Sequence, residues 1–463
     1  MKKKKWIVSG ENPRACAELS GQLGLAPLAA RVLAARGIAD VPDAAAYLDC
    51  SLSHLHDPFL LAGMDDAVRE VRASIERGEK IAVYGDYDVD GVTATCILIR
   101  YLRAQGAECV YYIPDRLGEG YGLNEVAIRA LYEDGCRLLI TVDSGITAVE
   151  EVALARALGM RVIVTDHHEC KNILPQAVAV INPRREGCGY PFKELAGVGV
   201  AFKLICALER GRSMESLLEK YGDIVAVGTI ADVMPLTGEN RVIVTNGLNR
   251  LRQTENPGLR ALIRKLGLDD KPLTSNSVSF VMAPRINAAG RLGGAAVAAR
   301  LFLTCDDTEA QELAEQLCEL NRMRQEAENC IYEEIKARIE AQPDLVRRKS
   351  LVLWGESWHN GVIGIVASRL CDRYGVPCVL ISLSGDLAKG SGRSIKGFNL
   401  YAALEHCAPL LEKYGGHELA VGLSLSRARL EEFAEAMEDF AEHASAGEEI
   451  VPSLQIDCRL APT

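Results

Sequence analysis

Between Lys80 and Asn182 the sequence alternates between two kinds of segment, and this alternation restricts the fold more than any other feature. Short continuous apolar runs (IAVYGD, ECVYYIPD, CRLLITVD, RVIVTD, AVAVIN) are interleaved with amphipathic stretches of helical spacing (TATCILIRYLRAQG, EVAIRALYEDG, AVEEVALARALG). A strand that is apolar on both faces must be covered on both, the condition met in a parallel sheet wrapped by helices. The region therefore predicts a doubly wound α/β domain, which receives its ligands outside the carboxyl ends of the strands.

After Gly197 the pattern turns helical to about Leu301, and Leu313, Leu317, Leu320, Ala327, Ile331, Ile335 and Ile339 then recur at helical spacing as far as Pro343. That run predicts one long linking helix over 306–342. A second, smaller α/β unit follows, with SLVLWGES and VPCVLISLS as strands, GIVASRLCDRYG as the helix between them, and a Gly-rich turn after the second strand. The closing alternation LQIDCRL reads as a single strand, which needs either a further module or a docking place on the body.

At 463 residues the chain exceeds one core and predicts two to four domains. No apolar run reaches the ~18 residues of a membrane span, and the basic start MKKKKW leads into SGENPR rather than a signal-like apolar region. The 15 cysteines are scattered singly with no C-x-x-C pair, which suits a reducing cytoplasm. A net charge of −11 argues against unspecific adhesion to nucleic acid while leaving room for a local basic groove.

The first predicted strand ends in GDYDVDG, where Asp86, Asp88, Asp90 and Gly91 imitate the opening of a calcium loop, but the twelfth position is Ile97 instead of Glu. Three more polar clusters follow: VDSG with Asp143, TDHHE with Asp166, His167 and His168, and Asp232 in GTIADVMPL. Taken singly, each has an ordinary explanation. A D-x-D at a strand end caps a helix or makes a turn, a His-His pair is structural, and a buried aspartate is satisfied by backbone donors. Parallel-sheet geometry sends three of the clusters to one edge, where crowded carboxylates must take up protons or hold cations. Oxygen donors with one or two imidazoles suit Mn²⁺ or Mg²⁺ better than Zn²⁺, and two such ions would activate water for phosphoryl displacement. GVGVAFK (197–203) lacks the third glycine of a dinucleotide loop and the Lys-Ser/Thr of a phosphate loop.

The combination DYDVDG, VDSGIT, TDHHE and GTIADVMPL resembles the DHH phosphoesterase superfamily and, within it, the bacterial single-stranded-DNA exonucleases. The likeness runs from about Leu25 to Leu425 and is carried further by RLGEGYGLN (116–124), LAGVGVAFKL (195–204), PRINAAGRL (284–292), SGRSIKGFNL (391–400) and YGGHELAVGLSL (414–425). It implies a DHH catalytic domain over 61–305 after an N-terminal helical segment (1–60), a linking helix (306–343), a DHHA1 domain (344–447) and the start of a truncated OB-fold-like module (448–463).

Asp86, Asp88, Asp143, His167 and Asp232 would ligate two Mn²⁺ or Mg²⁺ ions with Asp143 as the bridge, and His168 would serve the phosphate or leaving group. Asp90 would fix the turn with Gly91. Arg116, Arg291, Ser391, Arg393 and His417 would surround the terminal 5′-phosphate and nearby backbone, the alternative being that Arg285 and Arg291 pair with acids. Val83 and Tyr84 stand where some relatives carry a histidine, which implies a weaker first ion. The resemblance implies a cytoplasmic, monomeric 5′→3′ exonuclease of recombination and repair, acting on single-stranded DNA beside a single-strand-binding protein and a helicase. Related superfamily members suggest two other readings, a phosphodiesterase of short RNA or cyclic dinucleotides and a non-catalytic replication-helicase partner.

Overall fold

The computed structural model describes residues 5–10, 12–116, 118–120, 122–444 and 453–460. Residues 1–4 of the basic start, Leu117 and Tyr121 of the RLGEGYGLN stretch, and 445–452 and 461–463 around the expected terminal strand lie outside them. The N-terminal segment, expected to be helical, opens with a strand, β1 (Lys5–Val8), before helices Pro13–Leu23, Pro27–Ala35 and Val41–Asp49. The chain divides into two compact units, one made of residues 45–321 and the other of 1–44 together with 322–463.

In the first unit each apolar run is a strand: β2 (Lys80–Tyr84), β3 (Cys109–Tyr112), β4 (Cys136–Val142), β5 (Arg161–Thr165) and β6 (Ala179–Ile181). They form one parallel sheet in the order β3-β2-β4-β5-β6. The side chains alternate between two cores. Ile81, Val83, Leu138, Ile140 and Ile163 pack with helices Val89–Ala104, Gly197–Leu208 and Met214–Ala231, whereas Ala82, Tyr84, Leu139, Val162 and Val164 pack with helices Glu125–Glu133 and Val149–Ala157. Strand order reverses between β2 and β4, and this switch point opens the crevice that doubly wound sheets use for ligands.

The long helix Asp307–Ala341 buries Leu313 and Leu317 in the core of the first unit and Ile331, Ile335 and Ile339 in a core of the second. In the second unit β7 (Leu351–Glu356) and β8 (Cys378–Ser384) are parallel, joined by the helix Asn360–Tyr374. The expected Gly-rich turn is instead a strand, β9 (Leu387–Arg393), antiparallel to β8. The hairpin β10 (Lys413–His417) and β11 (Ala420–Ser426) completes the order β10-β11-β9-β8-β7. Gly390 and Gly392 sit in this sheet where an added Cβ would come within about 3.0 Å of Leu423 and 2.7 Å of Val421, so side-chain crowding from β11 accounts for glycines in mid-strand. The terminal strand β12 (Ser453–Ile456) pairs in parallel with β1, and the Arg36–Asp457 ion pair (2.9 Å) follows it. LQIDCRL thus has a partner strand in β1, at the other end of the chain.

Candidate metal centre and phosphate-binding residues

The carboxyl ends of β2, β4 and β5 deliver Asp86, Asp143 and His167, and the helix Met214–Ala231 delivers Asp232 as the residue that ends it. Asp88 is also the N-cap of helix Val89–Ala104, its Oδ1 accepting the Gly91 N–H at 3.0 Å. Capping and metal binding are compatible, because a carboxylate that accepts one hydrogen bond keeps lone pairs for a cation. Donor atoms of Asp86, Asp88 and Asp143 lie within 4.8 Å of one another, as do those of Asp143, His167 and His168, and those of Asp90, His167 and Asp232. Asp143 is common to the first two groups and His167 to the last two.

His167 Nε2 is the centre of this arrangement, 3.1 Å from Asp143 Oδ1, 3.7 Å from Asp232 Oδ2 and 3.8 Å from Asp90 Oδ2. Asp143 holds a left-handed backbone (φ 56°), and the helix start at Gly197 passes so close that a Cβ there would lie 2.6 Å from Asp143 Cβ and Oδ1. Asp86 Oδ1, His167 Nε2 and Asp232 Oδ2 are buried without a hydrogen-bond partner. Buried acceptors left unsatisfied are costly, and divalent cations would satisfy all of them together.

The electrostatics agree. Burial, and then the charge of Asp88, pushes Asp86 up to about 8 and Asp232 up to about 7. Burial and neighbouring carboxylates also raise Asp143 and Asp90 well above the ordinary range. Burial, reinforced by the adjacent His168, lowers His167 to about 4, so its imidazole is neutral and able to donate a lone pair to a metal.

Two aspartates are placed differently from expectation. Asp90, assigned to the turn with Gly91, instead accepts the backbone N–H groups of Gly197 (2.6 Å) and Val198 (2.7 Å), anchoring the positive end of helix Gly197–Leu208. The turn belongs to Asp88. Asp166, to which sequence reasoning gave no separate role, is fully occupied: it accepts from Ile146 N (2.9 Å), His167 N (2.7 Å) and His168 N (3.1 Å), and its Oδ1 lies 2.7 Å from His168 Nδ1. Burial alone would lower His168, but the Asp166 hydrogen bond and the negative charges of Asp166, Asp232 and Asp88 together outweigh it and raise the imidazole. The only sequence signal for this role was the position of Asp166 two residues before His168.

Of the basic candidates, Arg116 and Arg291 belong to the unit that carries the carboxylates. The Arg116 guanidinium lies over the Tyr87 ring at 5.0 Å, and Arg291 ends the helix Ala283–Arg291. Arg285 donates to the Val281 carbonyl (2.6 Å) rather than pairing with an acid. Ser391 and Arg393 lie on β9 in the other unit, with Arg393 Nη1 donating to Ser391 Oγ (3.1 Å) and to the Gly392 carbonyl (2.7 Å). His417 is exposed on β10, its Nδ1 accepting the Leu419 N–H at 3.3 Å.

The model of the DHH family, N-terminal domain, matches residues 80–229, and that of the DHHA1 domain matches residues 347–443. The single-stranded-DNA-specific exonuclease RecJ of Bacillus subtilis is 40% identical over 457 residues, covering 98% of this chain and 57% of that protein. RecJ of Dickeya dadantii is 38% identical over 454 residues, covering 94% of this chain and 78% of its own. Among solved structures, RecJ of Thermus thermophilus in complex with Mn²⁺ superimposes with a TM-score of 0.82 at 35% identity, covering 98% of this chain and 64% of that one. The chain thus spans under two thirds of the length of the Bacillus and Thermus relatives. With both domain models matched in order and such identity sustained along nearly its whole length, the chain belongs to the RecJ family of DHH proteins.

Proposed function

We propose that the chain is a metal-dependent exonuclease that removes nucleoside 5′-monophosphates from the 5′ end of single-stranded DNA. The observation that carries this reading is the convergence of Asp86, Asp88, Asp143, His167 and Asp232, with the buried unsatisfied oxygens of Asp86 and Asp232, at the switch point of the sheet. Those five residues would hold two Mn²⁺ or Mg²⁺ ions, Asp143 lying between the two donor groups that share it. When bound, such a pair supplies a nucleophilic water and charge stabilisation for in-line phosphoryl displacement. Asp166 holds His168 by Nδ1 and leaves Nε2 for a phosphate or leaving-group oxygen. Arg116 and Arg291 offer planar forks for the terminal phosphate, and in the other unit the Ser391 hydroxyl, the Arg393 guanidinium and the His417 imidazole are donors suited to a DNA backbone.

The names of the relatives support single-stranded DNA as substrate, and the Mn²⁺ complex of the Thermus protein supports the choice of metal. Among the described residues no helix is long and apolar enough to cross a membrane. The proposal extends to a monomer working in the cytoplasm beside a single-strand-binding protein and a helicase. The test is digestion of 3′-labelled, 5′-phosphorylated single strands by the full chain with Mn²⁺, against the duplex, a short oligoribonucleotide and an Asp143→Ala control. Stepwise shortening of the single strand from its 5′ end, lost in the control, is expected. Equal activity in the control, or preference for the oligoribonucleotide, overturns the reading.

A further inference from the structure

Tyr87 stands between the two aspartates Asp86 and Asp88, yet its own side chain is neither a metal ligand nor a core residue. It is partly exposed at the crevice, with the Arg116 guanidinium over its ring at 5.0 Å. Its backbone is equally committed. The helix Ala283–Arg291 meets the D-Y-D turn on one face, through residues spaced i, i+3 and i+4. Asn287 Oδ1 accepts the Val89 N–H at 3.2 Å, and Gly290 lies so near that an added Cβ would be 2.4 Å from the Tyr87 carbonyl oxygen. The next residue on that face is Arg291. Both arginines therefore take their positions from the same three-residue turn that presents Asp86 and Asp88.

We infer that Tyr87 is a positioning residue for terminal-phosphate recognition: its ring carries Arg116, and its carbonyl seats the helix that presents Arg291. This rests on the proposed roles of the two arginines and adds a cause for their geometry. An arginine on a partly exposed loop loses most of its side-chain freedom on binding phosphate, and an aromatic face that holds it beforehand lowers that cost. Because the support grows from the metal-binding turn itself, the arginines are set at a fixed offset from the carboxylates.

The experiment compares kcat and KM for 5′-phosphorylated and 5′-hydroxyl single strands with Mn²⁺, using the full chain and its Tyr87→Leu, Tyr87→Phe and Gly290→Ala variants, with Mn²⁺ uptake measured by calorimetry on each. A cation–π contact of ordinary strength predicts a KM for the phosphorylated strand raised about 3- to 30-fold by Tyr87→Leu. The KM for the hydroxyl strand, kcat and Mn²⁺ uptake should hold. Tyr87→Phe should restore the wild-type preference, and Gly290→Ala, which pushes the helix off the turn, should reduce it as Tyr87→Leu does. In Tyr87→Leu, a general loss on both substrates, a changed Mn²⁺ affinity or an undiminished phosphate preference overturns the inference. If Tyr87→Leu does not fold, undiminished preference in Gly290→Ala overturns it equally. A wild-type chain indifferent to the terminal phosphate removes the arginine assignment and this inference with it, whereas a discriminating wild type with a discriminating Tyr87→Leu removes this inference alone.

Discussion

Asp166 holds the His167–His168 pair at three points: it accepts the backbone N–H of His168, accepts that of His167, and lies 2.7 Å from the His168 Nδ1. A carboxylate so occupied has little left for a metal, and its work is to fix the imidazole. Asp166→Asn should lower kcat by about 10- to 100-fold, the usual cost of removing a partner that orients a functional histidine. Wild-type His168 is raised by Asp166 against the opposing effect of burial, with Asp232 and Asp88 adding to the rise. The variant should therefore lose activity at lower pH on the alkaline limb, because the imidazole gives up its proton sooner. A pH–rate profile of the two proteins checks this.

Gly197→Ala tests how tightly the helix start is fitted to Asp143. The new Cβ would fall 2.6 Å from Asp143 Cβ and Oδ1, so Asp143 or the helix must move. Overpacking of this kind costs about 1–3 kcal/mol, and here it also disturbs the grip of Asp90 on the Gly197 and Val198 amides. A lowered Tm together with weaker Mn²⁺ uptake is expected from thermal melts and titration calorimetry.

The metal-free chain should lose stability as pH rises, and bound Mn²⁺ should cancel that loss. Asp86 and Asp232 are raised to about 8 and about 7, above their unfolded values near 4, so the metal-free native state holds protons that the unfolded chain has released. Their contribution to stability is present below pH ~4 and is lost as pH climbs toward 8. Saturating Mn²⁺ competes for the same oxygens, so its stabilisation should grow over that interval. Melting temperatures at pH 5.5, 7 and 8.5, with chelator and with Mn²⁺, report both slopes.

Lys203 and Glu239 form a fully buried ion pair, completed by the Tyr190 hydroxyl, which donates to Glu239, and by the His56 carbonyl, which accepts from Lys203. Removing one partner leaves an uncompensated charge, so Lys203→Met should cost about 3–5 kcal/mol in denaturant unfolding. Mn²⁺ uptake by the fraction that folds should be unaffected, since the pair contributes nothing to the carboxylate cluster.

The parallel sheet was legible because β2, β4 and β5 are buried on both faces, and only apolar runs survive there. The meeting of Asp86, Asp143 and His167 at one edge followed from that topology. What was not legible depends on partners distant in the chain. β9, with the sequence LAKGSGR, has no strand signature of its own and is made a strand by pairing with β8 and β11 on either side. β12 finds β1 at the other terminus. The sequence around Asp90 speaks for a turn, but its hydrogen bonds go to amides 107 and 108 residues away. In TDHHE, nothing local distinguishes the acid that orients from the imidazoles it serves.

Calorimetric titration of the chelator-treated chain with Mn²⁺ tests most directly whether this edge of the sheet is a binuclear cation site. Uptake of two equivalents, with affinity for both weakened in Asp143→Ala, is the predicted result. Uptake of none or one, or an isotherm unchanged by Asp143→Ala, contradicts it.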